Sequence, residues 1–415
     1  MPERLKDVVQ TLALHARDAL NWALLTLLVG GVCGCVGTAF HMALDKAGEW
    51  FQEYDWLIWL LPVAGAAITA LYKLFKQPLS LGTDQVFEST RNAQGVPWQM
   101  APLIFVGTFL THLCGGSAGR EGAALQLGGS LACRIAKWFK LDKTATHILL
   151  MCGMSALFSA LFGTPIAAAF FAIEVVDVGM VRYRALLPAV LSSVTALLVS
   201  GLMGVEPTRF SLAEDLIGLG ALDCLKTAAL SVLCALLAIL FCKVMHLFQG
   251  GAKKLIKNEY LRAVSAAAIV IAVSLILRTR DYNGAGMAVI RRALDGKAQP
   301  LAWLIKLLLT AVTLSGGFRG GEIVPSFFVG ACFGCFAGGF LGMDPSLAAA
   351  IGMIAVFAGV TNAPAASIFM AVEMFSGSYF MLFALAVAVS FFASGKCSLY
   401  HSQKYLESKY VWDKE

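Results

Sequence analysis

A glycine-rich loop that ends in a glutamate occurs twice in this chain, each time before a long uncharged segment. The first copy reads GGSAGRE at 115–121 and runs into the uncharged segment 122–133. The second copy reads GGFRGGE at 316–322 and runs into the uncharged segment 323–343. Glycines and glutamates coincide at a constant offset when the two copies are laid over each other. The repeat therefore predicts two related halves with an acid at the start of a helix in each.

The two glutamates of this repeat, Glu121 and Glu322, point to an anion pathway. A carboxylate at membrane depth is costly and is normally kept only where it faces a pathway or a partner. Glycines before a helix leave its first amide groups without partners, and such amides bind anions. A carboxylate at that position can occupy the anion site itself, and protonation or an arriving anion would displace it. The motif therefore predicts exchange of anions and protons.

The composition predicts an all-α integral membrane protein. The chain has 415 residues, of which 58% are hydrophobic and 14% charged, and its mean hydropathy is +0.75. Soluble domains carry about 25% charged residues. The segments 21–44, 185–205 and 344–377 are long enough to cross a bilayer, and about 12 to 18 helical segments are expected, several too short to span. We expect one transmembrane transport domain over 1–415, with halves at about 20–205 and 220–394 and no cytosolic regulatory domain.

A second pair of motifs extends the repeat. Pro165 is followed by Glu174 at the same spacing at which Pro364 is followed by Glu373. Proline fixes the start or the break of a helix, so each half is expected to contain interrupted helices near mid-membrane. That is the pattern of transporters whose binding site lies between repeats. Both glutamates close apolar helices and are expected at water-exposed helix ends.

Three classes of function fit a chain of this kind: a secondary anion transporter, a passive anion channel and a membrane enzyme. An enzyme needs convergent catalytic groups or metal ligands, whereas the histidines are scattered, at His15, His41, His112, His147, His246 and His401. The cysteines, including the CxxC pair at 332–335, lie mainly in apolar segments and are expected to pack there. No cofactor or metal is expected. The net charge of +6 is spread over loops that face phospholipid, and nucleic-acid binding is not expected.

Three motifs resemble the CLC family of chloride channels and proton-coupled anion antiporters. They are GREG at 119–122, GGEIVP at 320–325 and GKCSLY at 395–400. The resemblance covers essentially the whole chain, with the motifs in the family's order. The resemblance implies a homodimer with one pore per subunit and two inverted halves of interrupted, tilted helices. It also implies a multi-pass protein, which we expect in the inner membrane of a bacterium.

The resemblance also implies the site residues. Glu121 is expected to gate the anion path and to accept the proton. The family's first anion motif falls on LSLGTD at 79–84, where either Ser80 or Thr83 would supply the hydroxyl. The remaining anion contacts are expected at Gly119, Arg120, Gly122, Glu322, Ile323, Val324 and Tyr400.

Two departures from the family pattern leave the transported ion and the coupling open. The internal proton-transfer glutamate of chloride antiporters falls on Val175, which keeps a passive chloride channel as the alternative. Glu322 resembles the acid of the fluoride-exporting branch, although Val324 stands where that branch carries threonine. The sequence therefore predicts a transporter of chloride or fluoride that exchanges the halide for protons.

Three site residues have two interpretations each. Arg120 attracts anions at long range or pairs with a loop carbonyl. Tyr400 contacts the anion or lies at the membrane interface. Asp84 serves the pathway or caps a helix.

Overall fold

The structure is a computed structural model, and it describes residues 3–79, 82–92, 95–212, 220–375, 377 and 379–409. Within these ranges the chain forms sixteen α-helices, a 3₁₀-helix at Asp55–Leu60 and one parallel pair of two-residue strands, β1 (Asp177–Val178) and β2 (Lys404–Tyr405). The helices are α1 (Glu3–Glu53), α2 (Leu61–Leu74), α3 (Thr83–Asn92), α4 (Met100–Leu113), α5 (Glu121–Trp138), α6 (Lys143–Phe162), α7 (Pro165–Glu174), α8 (Tyr183–Leu202), α9 (Ala221–Leu255), α10 (Glu259–Leu277), α11 (Met287–Leu294), α12 (Ala302–Ser315), α13 (Ile323–Phe340), α14 (Pro345–Thr361), α15 (Pro364–Phe375) and α16 (Phe380–Ala393).

The helix lengths confirm a multi-pass membrane protein with several helices that do not span. Seven helical segments of the described chain are long and apolar enough to cross a membrane. Others are much shorter, such as α7 with 10 residues and α15 with 12. The segment 344–377 is long enough to cross, but it is interrupted before Pro364, as the proline predicts. Asn362 is left-handed (φ 56°) and Pro364 follows it, so this segment divides into α14 and α15.

Glycines bring the helices of each half into close contact. In the first half α5 crosses α6 where Gly128 faces Gly153, and in the second α13 crosses α14 where Gly330 faces Gly352. A Cβ atom on any of these four residues would overlap the backbone of the facing helix. Small residues let backbones approach closely in membranes, where packing replaces the hydrophobic drive between helices. The two halves therefore use the same packing at equivalent places.

The two proline-started helices cap each other across the halves. The carboxylate of Glu174, at the end of α7, accepts hydrogen bonds at 3.2 and 2.9 Å from the amides of residues 365–366, at the start of α15. The carboxylate of Glu373 accepts bonds at 3.0 and 2.9 Å from residues 166–167, at the start of α7. The expected water-exposed position is therefore wrong. Glu174 is buried and Glu373 is half-buried, and each satisfies bare amides of the opposite half.

An aromatic cluster joins the halves beside these helices. The ring of Phe162 lies 6.0 Å from that of Phe327, and Phe171 lies 5.7 Å from Phe357. Phe327 and Phe357 are themselves 5.0 Å apart. Such pairs contribute about 0.5–1.5 kcal/mol each beyond the area they bury. The core between the halves is thus built from side chains of α6, α7, α13 and α14.

Candidate functional site

The two glutamate loops cross each other at the centre of the fold. The amide of Gly119 donates to the carbonyl of Gly321 at 2.7 Å, and the amide of Gly321 donates back at 2.8 Å. A Cβ on Gly119 would lie 2.6 Å from Glu121 Oε2 and 2.8 Å from Pro325 Cδ, so only glycine fits there. The Gly119 amide is engaged in the bond to Gly321, and Gly119 as an anion contact stays a prediction. This residue holds the starts of α5 and α13 together.

Glu121 closes the space between these helix starts. It is the first residue of α5 and is 0% exposed. Its Oε2 accepts from the amide of Arg120 at 3.0 Å and from the amide of Val324 at 3.1 Å. Its Oε1 is buried and has no hydrogen-bond partner among the described residues. The carboxylate of the first half therefore lies at the N-terminus of the second half's helix, where amides and helix dipole favour an anion.

A cavity of about 150 Å³ lies on one side of this carboxylate. Thr83, Glu322 and Tyr400 are among its lining residues. The hydroxyl of Tyr400 is buried and has no partner in the described chain, and its ring packs edge-on against Phe87. A buried hydroxyl without a partner is uncommon and needs an explanation. Tyr400 therefore lies in the protein interior beside Glu322, and the membrane-interface interpretation is wrong.

The segment at 79–84 contributes Thr83 to this cavity. Thr83 starts α3, and its hydroxyl lies 3.4 Å from the carbonyl of Gly122 and accepts from Gln126 Nε2 at 3.3 Å. Ser80, the other candidate, lies outside the described residues. Asp84 does not act as a simple cap, because its carboxylate accepts from the amide and hydroxyl of Ser402 at 2.9 and 2.7 Å. It thereby ties α3 to the segment that carries Tyr400.

Basic groups also line this cavity. Lys253, Arg262 and Arg319 lie in its wall with Glu322. Arg319 is buried, donates to the carbonyl of Leu79 at 2.9 Å and stacks on Tyr72 with 3.9 Å between guanidinium and ring centre. Positive charge in a cleft raises the local concentration of anions. None of these three residues was predicted from the sequence as a site residue.

A larger cavity, of about 720 Å³, lies on the Arg120 side of Glu121, and His41 and Asp45 also line it. Arg120 donates to Asp45 Oδ1 at 2.8 Å, and its Nε lies 3.9 Å from Glu121 Oε1. His41 Nε2 lies 3.0 Å from the other oxygen of Asp45. Arg120 therefore pairs with a carboxylate rather than with a loop carbonyl. Asp45 was missed in the sequence, although it directly follows the uncharged segment 21–44.

A buried lysine is linked to the first glutamate loop through residues 282–284. Lys306, in α12, is 0% exposed and donates to the carbonyls of Tyr282 and Gly284 at 3.1 and 2.6 Å. The amide of Gly284 donates to the carbonyl of Gly116 at 3.0 Å, and Asn283 Nδ2 donates to the carbonyl of Gly115. Lys306 is the single charged residue of the apolar helix α12, and this signal in the sequence could have identified it as a site residue.

Residues beside Glu121 line both cavities: Arg120 lines the larger one, and Glu322, which lies close to Gly122, lines the smaller one. Neutralising Glu121 would weaken its bonds to the amides of Arg120 and Val324, which favour a charged acceptor. The freed Val324 amide, beside Ile323 at the start of α13, can then donate to another anion. The site can therefore hold either its own carboxylate or a small anion.

Comparison with known proteins agrees with this geometry. The family model for voltage gated chloride channels matches residues 64–395. A chloride/fluoride channel protein of Pseudomonas syringae pv. tomato is 34% identical over 398 residues, which cover 94% of this chain and 88% of the relative. The crystal structure of a CLC-type fluoride/proton antiporter superposes with a TM-score of 0.90 at 32% identity, covering 93% of this chain and 98% of that one.

More distant proteins share the fold. An H⁺/Cl⁻ exchange transporter, ClcA, of Vibrio parahaemolyticus is 24% identical over 414 residues, covering 91% of this chain and 87% of the relative. The structure of a slow cyanobacterial Cl⁻/H⁺ antiporter superposes with a TM-score of 0.78 at 20% identity, covering 90% and 94% of the two chains. With the family model matching most of its length, this chain belongs to the CLC family of voltage-gated chloride channels.

Proposed function

We propose that the protein is a CLC-type halide transporter that moves chloride or fluoride across the membrane in exchange for protons. The observation that carries this proposal is the position of Glu121, whose carboxylate bonds to the amide of Val324 beside residues that line two cavities. A proton on Glu121 removes the charge that holds it there, and a halide takes its place at the amide. The same carboxylate either binds a proton or occupies the amide in place of the halide. The movements of protons and halide are therefore coupled.

Glu322 favours fluoride as the halide. Its side chain lines the same cavity as the partnerless hydroxyl of Tyr400. A protonated carboxyl donates a strong hydrogen bond to fluoride, which is small and basic, and a weaker one to chloride. The names of two relatives, a chloride/fluoride channel protein and a fluoride/proton antiporter, support the same choice.

A passive channel of the same fold is the second candidate, and Val175 favours it. Val175 is buried and stands where chloride antiporters carry their internal proton-transfer glutamate. Its neighbour Glu174 accepts hydrogen bonds from the amides of residues 365–366 and is therefore not free to transfer protons in its place. If Val175 leaves the protein without a proton route, halide flux will run without proton flux.

We further propose a homodimer in a bacterial inner membrane, with one transport domain whose halves lie at about 20–205 and 220–394 and no enzymatic activity. The exchange of caps between α7 and α15 supports the two-half division. Light scattering that found only monomers in detergent at high protein concentration would contradict the dimer.

Flux from liposomes tests the proposal directly. Purified protein is reconstituted, and fluoride, chloride and proton electrodes are read together under an imposed halide gradient. We expect fluoride efflux with stoichiometric proton movement in the opposite direction. Halide flux without proton flux would establish the channel, and no flux of either halide would contradict both candidates.

A further inference from the structure

A second, apolar cavity of about 340 Å³ adjoins the polar cavity that contains Glu322. It lies between α9, α10 and α12, and Gly251, Ala266 and Gly316 leave space for it where larger side chains would fill the groove. Most of its remaining lining is apolar and includes Leu247 and Ile269, both exposed on the outer surface of the helices. The groove therefore opens on the hydrocarbon side of the protein.

Arg262 lies at the boundary of the two cavities. This residue and Ser315 line both the apolar groove and the polar cavity. Arg262 is 7% exposed, and its Nη1 donates to the carbonyl of Ile256 at 3.3 Å. Its Nε is buried and has no hydrogen-bond partner in the described part of the chain. A buried charged donor without a partner is expensive, which indicates a missing acceptor.

The groove has a cationic end and an apolar end. Arg262 lies in the first turn of α10, directly after the polar connection 256–258, and so at the aqueous end of this helix. Ile269 lies about 10 Å deeper along the same helix, at 1.5 Å per residue. Lys253, near the end of α9, adds positive charge at the Arg262 end. The groove thus combines a cationic end at the water interface with an apolar end in the membrane.

We propose that this groove binds the anion of a single-chain fatty acid. The carboxylate accepts from Arg262 Nε, and the alkyl chain lies between α9, α10 and α12. A volume of about 340 Å³ is small for the two acyl chains of a phospholipid, and neutral amphiphiles leave the Nε of Arg262 without its acceptor. This binding goes beyond halide transport. Because the head group stands at the wall of the polar cavity, a bound fatty acid slows halide entry from that side.

Direct binding tests the head-group contact. Native mass spectrometry of the purified protein, mixed with sodium dodecanoate, measures the fraction that retains the ligand. We expect Arg262→Gln to lower the apparent affinity by roughly tenfold or more, the worth of a charge-assisted hydrogen bond. Lys254→Gln is the matched control, because this lysine is exposed, lies one residue after Lys253 and lines neither cavity. Equal retention in the wild type and in Arg262→Gln would overturn the proposal.

A second pair of variants tests the tail contact without touching Arg262. Gly250 and Gly251 are neighbours in α9, and an added Cβ meets no atom within 4 Å at either position. Only Gly251 lines the groove. Leucine at either position favours a helix over glycine, so both variants should fold. We expect Gly251→Leu to reduce dodecanoate retention at least tenfold and Gly250→Leu to leave it unchanged.

The choice of ligand completes the test. We expect dodecanol, which lacks the charge, to be retained at least tenfold less than dodecanoate. Equal retention of dodecanol, or displacement of dodecanoate by phosphatidylglycerol at equal concentration, would overturn the assignment to a single-chain carboxylate. Each outcome is read without halide flux, so failure here is distinct from failure of the proposed transport function.

Discussion

The carboxylate of Glu121 lies 3.1 Å from the amide of Val324, which starts the equivalent helix of the opposite half. The second repeated acid makes no matching bond to α5 that the structure records. The carboxylate of Glu322 instead faces a cavity, 3.4 Å from the place where a Cβ on Gly122 would stand. Two positions that are equivalent in the repeat therefore differ in structure. One acid closes the path, and the other lines it.

Replacing Glu121 by glutamine should uncouple transport. The variant keeps the shape of the side chain but carries no titratable proton, so proton movement should fall to background while halide flux is altered or lost. The measurement is simultaneous halide and proton flux from liposomes. Glu49→Gln is the control, because Glu49 forms only an exposed pair with Lys46 on α1. Normal pH-driven halide uptake in Glu121→Gln would show that Glu121 is not the gate.

Replacing Asp45 by asparagine should shift the pH dependence of transport to more acidic values. Asp45 holds Arg120 at 2.8 Å, and the Nε of Arg120 is 3.9 Å from Glu121 Oε1. Without the Asp45 charge, Arg120 attracts the ionised carboxylate of Glu121 more strongly and holds it in its closed position. A gain of about 1 kcal/mol in that pair slows coupled uptake at neutral pH by roughly fivefold.

The readout for Asp45→Asn is the initial rate of halide uptake between pH 5 and pH 8. A shift of the profile to higher pH, or no shift at all, would contradict the role given to Arg120. Glu49→Gln again serves as control, since it removes a carboxylate from the same helix without contacting Arg120.

Removing either reciprocal cap should destabilise the protein. Glu174→Ala leaves the amides of residues 365–366 without acceptors, and Glu373→Ala does the same for residues 166–167. Each loss should cost about 1–2 kcal/mol, as for other helix caps. The two caps share no partner, so the costs in the double variant should add within about 0.5 kcal/mol.

Thermal unfolding in detergent measures these losses. Glu88→Ala is the control, because Glu88 is exposed and makes no hydrogen bond or ion pair that the structure records. Single variants as stable as the control would show that the caps contribute nothing to folding.

The repeated motifs made much of the fold predictable. Glycine and proline at matched positions indicated interrupted helices, and their chemistry is local, since φ preferences and bare amides depend on few residues. Glu121 and Tyr400 were recognisable for the same reason, because each belongs to a contiguous motif. In the structure Glu121 bonds to the amide of Val324 at the start of α13, and Tyr400 lines the smaller cavity.

Contacts between the halves were not predictable from one sequence. Glu174 closes an apolar helix, and only the packing of α7 against α15 shows that its carboxylate meets residues 365–366 rather than water. The bond from the amide of Gly119 to Gly321 was likewise not predictable, because it joins two segments that are far apart in the chain. Sequence spacing describes one segment at a time, whereas these bonds depend on how two distant segments cross.

Changing Glu322 should alter halide selectivity more than folding stability. The side chain lines the cavity with Tyr400 and Thr83, so Glu322→Gln keeps the volume but cannot hold an exchangeable proton for fluoride. We expect Glu322→Gln to reduce the fluoride-over-chloride ratio and Glu322→Ala to lower fluoride flux sharply, roughly tenfold or more for one lost charge-assisted hydrogen bond. Glu88→Gln is the control, since it neutralises an exposed acid that does not line the cavity. If both Glu322 variants carried each halide at the wild-type rate, Glu322 would lie outside the pore and the preference for fluoride would lose its structural basis.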